Sequence, residues 1–319
     1  MIKWGIIGPG KIAHKFASDL ATVSDAKLVA VASRNLGRAK EFADEYGAEL
    51  AFGNYEDFLA STAFDIVYIA SPHIGHYEHT LLCLNAGKAV LCEKPFAMNA
   101  AEVLEMIELA KKKNVFLMEA LWTRFMPTTL KTLDLLKTIG KVSLVKADFG
   151  FKADFDPEKR LFNKDLGGGA LLDIGIYPLF LSYLILGNPS EIKATTQFSV
   201  TGVDQTDGIA LSYENGAIAV LDCTLMATTN CEAQIFGEFG TILIHSRWHE
   251  SLKVSVNYYD GREETYDFSR DTHGYDYEIN EVNNCLLEKQ VQSQKWSWND
   301  SINLINLLDG VRAQSGIVY

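Results

Sequence analysis

Short apolar runs alternate with amphipathic segments over the first 120 residues, and this alternation constrains the fold most strongly. The runs are residues 2–8, 28–33, 65–70, 88–93 and 115–119. None shows the polar–apolar alternation of a strand with one solvated face, which indicates strands covered on both faces. The pattern predicts an α/β fold that begins with a doubly wound parallel sheet of the Rossmann type.

One helical segment between these runs carries clear end signals. Asn99 is suited to the N-cap position, and Glu102 completes a capping box with it. Three lysines, residues 111–113, complement the negative end of the helix dipole. The sequence therefore predicts a helix that starts after Asn99 and ends near residue 113.

The second half of the chain consists mainly of strand-like runs with turn signals between them. The runs are residues 142–151, 191–200, 208–225, 231–237, 241–246 and 252–258. Helical patterns lie at residues 168–186, 274–289 and 300–313. We expect a nucleotide-binding domain over residues 1–121. We expect an α+β domain over residues 122–319, built on a large, mainly antiparallel open sheet.

Charge and composition narrow the class of partner and the compartment. The 29 Lys and Arg residues against 41 Asp and Glu give a formal charge of −12, which disfavours nucleic acids and anionic membrane surfaces as partners. Five scattered cysteines without a CxxC motif favour reduced thiols in the cytoplasm. No signal-peptide pattern is visible, and the longest apolar stretch, residues 174–186, is shorter than a bilayer span.

A glycine-rich turn, residues 8–13 (GPGKIA), follows the first apolar run. Gly8 permits a tight turn, and Gly10 lets the backbone approach a pyrophosphate at the N-terminus of the next helix. Ala13 replaces the third glycine of the dinucleotide fingerprint, which the fingerprint tolerates. The alternative is a glycine turn in another kind of α/β protein. The predicted cofactor-binding residues here are Gly8, Gly10, Lys11 and Ile12.

The end of the second apolar run distinguishes between dinucleotides. An NAD-selective protein usually carries Asp or Glu there, to bind the ribose hydroxyls. This chain has Ser33 and Arg34, with Arg38 one helical turn further on. Guanidinium groups bind phosphate oxygens in a bidentate manner, so these residues predict NADP(H) as cofactor through its 2′-phosphate. The alternative is a solvated helix start with incidental arginines.

The tripeptide Glu93-Lys94-Pro95 ends the apolar run of residues 88–93. In a doubly wound sheet, ligands bind beyond the carboxyl ends of the strands. A lysine delivered to that edge lies where a nicotinamide ring would be placed. Together with the glycine fingerprint, Lys94 indicates a redox enzyme.

Further candidates lie in the predicted second domain. Asp173 and Tyr177 are four residues apart, which places both on one face of a helix. The alternative is a core tyrosine and a capping or ion-paired aspartate. Glycines 167–169 allow the start of this helix to approach another backbone or a ligand.

Three aromatic residues are candidates for a substrate pocket, and three histidines are candidates for a metal site. Trp122, Phe151 and Trp248 are candidates for a substrate pocket that would suit the flat face of a sugar or a cyclic diol, although each is also a candidate core residue. His73, His76 and His79 show a three-residue spacing. No acidic residue or cysteine completes a zinc site with them, so we expect no metal.

Two blocks, residues 86–95 (AGKAVLCEKP) and 116–125 (FLMEALWTRF), resemble the glucose-fructose oxidoreductase/inositol dehydrogenase (Gfo/Idh/MocA) family. Within it they resemble most the branch of dimeric trans-dihydrodiol dehydrogenases and NADP-linked D-xylose dehydrogenases. Residues 168–177 and 274–278 fit the same branch. The likeness spans nearly the whole chain.

The resemblance implies a Rossmann domain followed by a domain whose open sheet often forms a dimer interface. It implies that Lys94 is catalytic, that the Lys94–Pro95 peptide is cis, and that Asp173 and Tyr177 are the other active-site residues. Family contacts to the cofactor would fall on Ser71, His76, Glu93, Lys94, Trp122 and Arg124.

The resulting hypothesis is hydride transfer between C4 of the nicotinamide and a carbinol carbon of a sugar, polyol or trans-dihydrodiol. Tyr177 would accept the hydroxyl proton, and the Lys94 ammonium would favour the phenolate and bind the developing alkoxide. Asp173 would orient a substrate hydroxyl or the lysine. Alternatives are a keto-sugar reductase or inositol dehydrogenase of the same family, and an NADP-binding sensor without turnover.

Overall fold

The computed structural model describes residues 1–319, which divide into two compact units. The first unit comprises Met1–Phe125 and Arg270–Ile302, and the second comprises Met126–Ser269 and Asn303–Tyr319. The structure therefore differs from a single division after residue 121, because the chain returns to the first unit after Ser269.

Buried polar contacts within the first unit explain this return. The Asp19 carboxylate accepts hydrogen bonds from the backbone N–H groups of His273 (2.9 Å) and Tyr275 (2.8 Å). The Trp4 indole donates to Oδ1 of Asn283 (3.2 Å). Each contact joins residues more than 250 positions apart, so no local sequence pattern predicts it.

Fourteen strands form two sheets, one in each unit. The strands are β1 (Ile2–Ile7), β2 (Ala26–Ala32), β3 (Leu50–Phe52), β4 (Ile66–Ile69), β5 (Ala89–Glu93), β6 (Leu117–Ala120), β7 (Leu144–Gly150), β8 (Glu191–Phe198), β9 (Asp204–Ser212), β10 (Ile218–Thr224), β11 (Ala233–Phe236), β12 (Gly240–Ile244), β13 (Lys253–Tyr258) and β14 (Glu263–Asp267). The helices are α1 (Lys11–Leu20), α2 (Leu36–Tyr46), α3 (Tyr55–Ala60), α4 (His76–Asn85), α5 (Ala100–Lys113), α6 (Pro127–Leu136), α7 (Ile176–Leu186), α8 (Asp276–Leu287) and α9 (Trp298–Ser315).

The first sheet is entirely parallel, in the order β3-β2-β1-β4-β5-β6. This order reverses direction between β1 and β4, and dinucleotides bind at such a switch point. Residues 29–32 of β2 and 66–69 of β4 are at most 4% exposed, which explains their uninterrupted apolar sequences. The predicted doubly wound α/β sheet is confirmed. The short strand β3 was not foreseen.

The predicted caps of α5 are also present. Oδ1 of Asn99 accepts the N–H of Glu102 (3.0 Å), as an N-cap residue does. The Glu102 carboxylate in turn accepts the N–H of Met98 (3.0 Å) and an amide proton of Asn99 (3.0 Å). The helix then ends at Lys113, before Asn114 in the left-handed conformation.

The second sheet has eight strands in the order β14-β13-β12-β11-β7-β10-β9-β8. Only β7 and β10 run parallel to one another, so the expected mainly antiparallel sheet is confirmed. Helices α6 and α7 pack on strands of this sheet. The run of residues 208–225 divides into β9 and β10, which pair around the Glu214-Asn215-Gly216 turn.

The helical segment expected over residues 168–186 starts with a π-helical turn, Leu171–Gly175, before α7. The preceding glycines make close approaches possible. A Cβ atom on Gly168 would lie 2.5 Å from the Arg160 carbonyl oxygen, and one on Gly169 would lie 2.1 Å from Oδ1 of Asp204. Glycine is therefore required here by neighbouring backbone and by a buried carboxylate.

The stretch Lys164–Leu186 is long and apolar enough to span a membrane. It is longer than the 13-residue apolar stretch noted in the sequence. In the structure 72% of its most apolar window is buried within the fold. A mostly buried helix of this kind is typical of the core of a soluble protein.

Candidate active site

The glycine turn after β1 leaves the start of α1 open to a ligand. Gly8 has φ = +87°, and a Cβ atom there would lie 2.8 Å from the backbone nitrogen of Ser71. Gly10 is the N-cap of α1, and no side chain accepts the first N–H groups of that helix. A Cβ atom on Gly10 would meet no protein atom closer than 3.9 Å. The open glycine and the uncapped helix end fit an anionic group such as a pyrophosphate.

The end of β2 presents cations and no carboxylate. Oγ of Ser33 accepts the N–H of Asn35 (3.2 Å), and Asn35 caps α2 by accepting the N–H of Arg38 (3.1 Å). Arg34 and Arg38 are exposed, and neither forms a salt bridge within the protein. The guanidinium groups are therefore available to a phosphate.

The backbone of residues 94–96, called here the Lys94 turn, follows β5 and contains a cis Lys94–Pro95 peptide. Oε2 of the buried Glu93 accepts the N–H of Lys94 (3.2 Å), and its Oε1 accepts the hydroxyl proton of Tyr68. Tyr68 is itself fully buried and stacks on Phe16 at 3.7 Å between ring centroids. Glu93 therefore supports the start of the turn.

His76 also supports this turn. Its Nδ1 lies 2.7 Å from the carbonyl oxygen of Pro95, and its Nε2 lies 2.9 Å from the carbonyl oxygen of Ser71. Burial lowers the pKa of His76 to about 4, so the ring is neutral and donates to only one of the two carbonyls. Both ring nitrogens face the backbone, so the structure places His76 as a link between two loops.

A third buried side chain, Glu119, holds the end of the turn and was not singled out from the sequence. It lies on β6, and its Oε1 accepts the N–H of Phe96 (3.1 Å). Its other oxygen accepts protons from Trp296 and Ser301. The apolar sequence around Glu119 was the available signal, since a carboxylate there must find partners when buried.

Arg124 and Trp122 lie in the short 3₁₀-helix Trp122–Phe125. The Trp122 ring is buried and stacks on Tyr275 with 4.9 Å between centroids. Nε and Nη1 of Arg124 are buried and have no hydrogen-bond partner within the protein, and burial lowers its pKa. Buried guanidinium donors without acceptors fit a bound ligand that supplies them.

Glu278 on α8 is a second buried group without protein partners. Neither of its carboxylate oxygens accepts or donates a hydrogen bond. Burial, with the charges of Glu93 and Asp19, holds its pKa well above the usual range. Burial therefore favours the protonated form of the Glu278 side chain in the folded protein.

In the second unit, Asp173 lies in the π-helical turn and is bound by Arg160. The guanidinium donates from Nη1 to Oδ1 (2.8 Å) and from Nη2 to Oδ2 (3.1 Å). Arg160 is partly exposed, whereas the Asp173 side chain is only 13% exposed. Arg160 was not among the sequence candidates, because an arginine in a polar loop is unremarkable without its partner.

Tyr177 is the second residue of α7 and is 6% exposed. Its ring lies 5.5 Å from the ring of Phe149 and 5.3 Å from that of His249. Phe149 and His249 stack on each other at 4.2 Å. Two aromatic neighbours thus fix the tyrosine ring, and His249 is a residue that the sequence did not reveal.

Asp204 fixes the start of the π-helical turn. Its Oδ2 accepts the N–H of Leu171 (2.6 Å), and its Oδ1 accepts the hydroxyl of Tyr319 (3.2 Å). The residue is fully buried. The segment that carries Asp173 and Tyr177 is therefore anchored at its first residue.

The three aromatic pocket candidates have different surroundings. Trp248 is 1% exposed and its indole donates to the Asp148 carbonyl (2.9 Å), so it is a core residue. Phe151 is half-buried against an apolar cluster that contains Phe162 and Leu225. Trp122 lies in the first unit, as described above. The structure thus assigns Trp248 to the core and leaves Phe151 partly accessible.

Comparison with known proteins places the chain in a family. Residues 2–121 match the model of an oxidoreductase family with an NAD-binding Rossmann fold, and residues 130–243 match the GFO/IDH/MocA C-terminal domain. The chain is 39% identical to trans-1,2-dihydrobenzene-1,2-diol dehydrogenase from Danio rerio, over 100% of this chain and 98% of that protein. The chain belongs to the Gfo/Idh/MocA family.

Two further proteins are similar to this chain over nearly their whole length. D-xylose 1-dehydrogenase (NADP(+)) from Hypocrea jecorina is 32% identical, covering 100% of this chain and 93% of that protein. The crystal structure of KijD10, a 3-ketoreductase from Actinomadura kijaniata in complex with NADP and TDP-benzene, has a TM-score of 0.89 at 25% identity, with 98% of each chain covered. The resemblance noted in the sequence is confirmed, and the protein is an oxidoreductase with an NAD(P)-binding Rossmann domain.

Proposed function

We propose that this protein is an NADP(H)-dependent dehydrogenase that oxidises a carbinol carbon of a sugar, polyol or trans-dihydrodiol. The observation that supports this proposal most strongly is the Lys94 turn. There the buried side chains of Glu93, His76 and Glu119 form hydrogen bonds with three successive backbone units. A lysine presented so rigidly at the carboxyl edge of a dinucleotide-binding sheet is suited to stabilise charge in a transition state. A non-catalytic protein would have no need of this arrangement.

The residues of the first unit fit a nicotinamide dinucleotide, which when bound supplies the hydride acceptor or donor. Gly8, Gly10 and the N-terminus of α1 would hold the pyrophosphate. Ser33, Arg34 and Arg38 would hold a 2′-phosphate, which is why we propose NADP(H) over NAD(H). The remaining proposed contacts are Lys11, Ile12, Ser71, Glu93, Lys94, Trp122 and Arg124, with His76 acting through the backbone.

The proposed chemistry divides among three side chains. Tyr177 accepts the proton of the substrate hydroxyl, and Lys94 stabilises the negative charge that develops on that oxygen. A phenol has an unperturbed pKa of about 10, so the proton acceptor must be activated by positive charge. Asp173, held by Arg160, orients a neighbouring substrate hydroxyl.

We further propose a homodimer that forms through the open face of the second sheet. On this face Val220 and Ile218 of β10 are 47% and 45% exposed, beside half-buried Leu144, Phe236 and Leu243 on neighbouring strands. Exposed β-branched residues on a broad sheet are typical of a surface covered by a partner. The five cysteines are all free and buried, which supports a cytoplasmic location.

The test is absorbance of the reduced nicotinamide during incubation of the protein with NADP⁺ or NAD⁺. The substrates are D-xylose, D-glucose, myo-inositol and trans-dihydrobenzenediol. Turnover of one class with NADP⁺, abolished in Lys94→Ala and kept in the exposed-lysine control Lys113→Ala, is the expected result.

Other outcomes favour the alternatives. Turnover of myo-inositol alone would favour an inositol dehydrogenase, and activity only as NADPH oxidation with a keto-sugar would favour a ketoreductase. Tight NADPH binding with no turnover of any substrate in either direction would favour a sensor and contradict the proposal.

A further inference from the structure

Glu119 is a buried carboxylate that three donors share. The residue is 3% exposed. Its Oε1 accepts the backbone N–H of Phe96 (3.1 Å), and its Oε2 accepts the indole N–H of Trp296 (3.2 Å) and the hydroxyl proton of Ser301 (2.7 Å). All four residues belong to the first unit. The carboxylate thus joins the Lys94 turn to Trp296 and Ser301, which follow Glu119 by 177 and 182 positions.

The ionised carboxylate is the form that matches these contacts. A carboxylate only accepts hydrogen bonds, whereas a protonated carboxyl group must donate one and loses part of its acceptor capacity. Three N–H or O–H donors are directed at it, so protonation removes the negative charge that strengthens all three bonds and forces the Ser301 hydroxyl to accept a proton instead of donating one. Phe96 is only two residues from Lys94, so weakening of its charge-assisted bond loosens the end of the Lys94 turn.

We propose that Glu119 is a positioning residue whose ionised carboxylate holds Lys94 in its active arrangement. The inference deepens the proposed dehydrogenase function and rests on it. Because the carboxylate acts through hydrogen bonds to the turn, it is not placed among the groups that touch substrate or cofactor. We expect kcat to depend on the fraction of protein in which Glu119 is ionised.

Ionisation of Glu119 falls in the range where the enzyme can be assayed. Burial raises its pKa to about 7, and the bonds from Ser301, Trp296 and Phe96 oppose that rise. The titratable groups that act on it are on β5: the charge of Glu93 raises the pKa further, and Cys92, a buried thiol with a pKa well above its usual range, is neutral. We therefore expect kcat to fall as the pH drops through 7.

Two variants give opposite signatures if this is correct. Glu119→Gln removes the titrating group, so the acid limb of the kcat profile near pH 7 should disappear and the plateau should drop about tenfold, the cost of one hydrogen bond to a charged group. Ser301→Ala removes a donor that favours the charged form, so the same limb should move to higher pH while the plateau at high pH is kept.

Ser293→Ala is the matched control. Ser293 is fully buried in the same segment and donates to a different carboxylate, Oε1 of Glu281 (2.6 Å). Its replacement should leave the acid limb in place. A general loss of stability would affect Ser293→Ala and Ser301→Ala alike and would not move a pKa selectively.

A readout without turnover separates this inference from the proposed function. In ¹⁵N-labelled protein, the Trp296 indole and Phe96 amide resonances should titrate together near pH 7, and both should stop titrating in Glu119→Gln. If they titrate but kcat keeps its limb in Glu119→Gln, the positioning role is overturned. If neither resonance titrates between pH 5.5 and 8.5, the ionisation itself is overturned. If they titrate in a protein without turnover, the proposed function fails and takes the positioning role with it.

Discussion

Arg160 and Asp173 are joined by two nearly parallel hydrogen bonds of 2.8 and 3.1 Å. The planar guanidinium matches both carboxylate oxygens at once, which fixes the orientation of Asp173 as well as its charge. Asp173 lies in a π-helical turn that ends two residues before Tyr177, and the proposed function assigns the pair to the surface that meets the substrate. π-Helical turns occur frequently at functional sites.

The bidentate contact predicts that lysine cannot replace Arg160. Arg160→Lys keeps a positive charge but offers a single point donor, so kcat/KM for the substrate should fall about tenfold, and Arg160→Ala should cost about a hundredfold. Steady-state kinetics at fixed NADP⁺ would measure this. Lys159→Ala, which removes a neighbouring exposed cation, is the control. Normal kinetics in Arg160→Ala together with a strong defect in Asp173→Asn would show that Arg160 plays no part.

The proposed role of Tyr177 predicts a loss confined to the chemical step. Tyr177→Phe keeps the ring beside Phe149 and His249 and removes only the hydroxyl, so kcat should fall by about 10²–10⁴-fold. The Kd for NADPH, measured by fluorescence, should stay within about twofold. Tyr183→Phe is the matched control, because Tyr183 is on the same helix and its hydroxyl accepts a bond from Asn303 (2.9 Å). A Tyr177→Phe variant with near-normal kcat would exclude the phenol as proton acceptor.

Features that depend on neighbouring residues were predictable from the sequence. Five strands of the first sheet, all except β3, appear as unbroken apolar runs because both faces are covered. Asn99 and Glu102 indicate the start of α5 within four residues. The glycine turn is equally local, since the strand before Gly8 and the helix after Gly10 are contiguous with it.

Features that depend on distant partners were not predictable. Glu119 binds Trp296 and Ser301, and Asp19 binds the backbone at residues 273 and 275. A buried carboxylate must be satisfied, but the donors can come from anywhere in the chain and follow no periodicity. For the same reason, neither the role of Arg160 nor the return of residues 270–302 to the first unit could be predicted from the sequence.

The end of β2 is followed by arginines and carries no Asp or Glu, which predicts how the preference between NADPH and NADH can be altered. Replacing both Arg34 and Arg38 by Ala should weaken NADPH binding at least about tenfold, because two charge-assisted contacts to a 2′-phosphate are lost. NADH binding should change little, since NADH lacks that phosphate. Titration calorimetry with both cofactors would measure this, with Lys40→Ala, an exposed cation on α2, as control. Equal weakening for NADPH and NADH would mean that the arginines do not recognise the 2′-phosphate.

The open face of the second sheet, where Ile218 and Val220 are exposed, predicts that a carboxylate placed there would disrupt the proposed dimer. Val220→Asp places a carboxylate on that face, which a dimer interface would have to desolvate. Light scattering should then show the 35.4 kDa chain as a monomer under conditions where the unmodified protein is a dimer. Leu104→Asp, at an exposed position of α5 in the first unit, should leave the dimer intact. A dimer that persists in Val220→Asp would locate the interface elsewhere.

The unpartnered carboxyl of Glu278 predicts an unusual dependence of stability on pH. Its folded pKa lies well above the ordinary glutamate value of 4.5, so between these two values the folded protein keeps a proton that the unfolded chain has lost. Stability from this residue is therefore greatest below pH 4.5 and declines as the pH rises. Glu278→Gln cannot lose a proton, so its Tm minus that of the unmodified protein should increase as the pH rises above 5. The slope of this Tm difference against pH is the informative quantity. A fixed energetic cost of the amide would change the Tm difference by the same amount at every pH. Glu41→Gln, at an exposed position on α2, should give a flat difference. A flat difference for Glu278→Gln as well would mean that Glu278 ionises in the folded protein as it does in the unfolded chain.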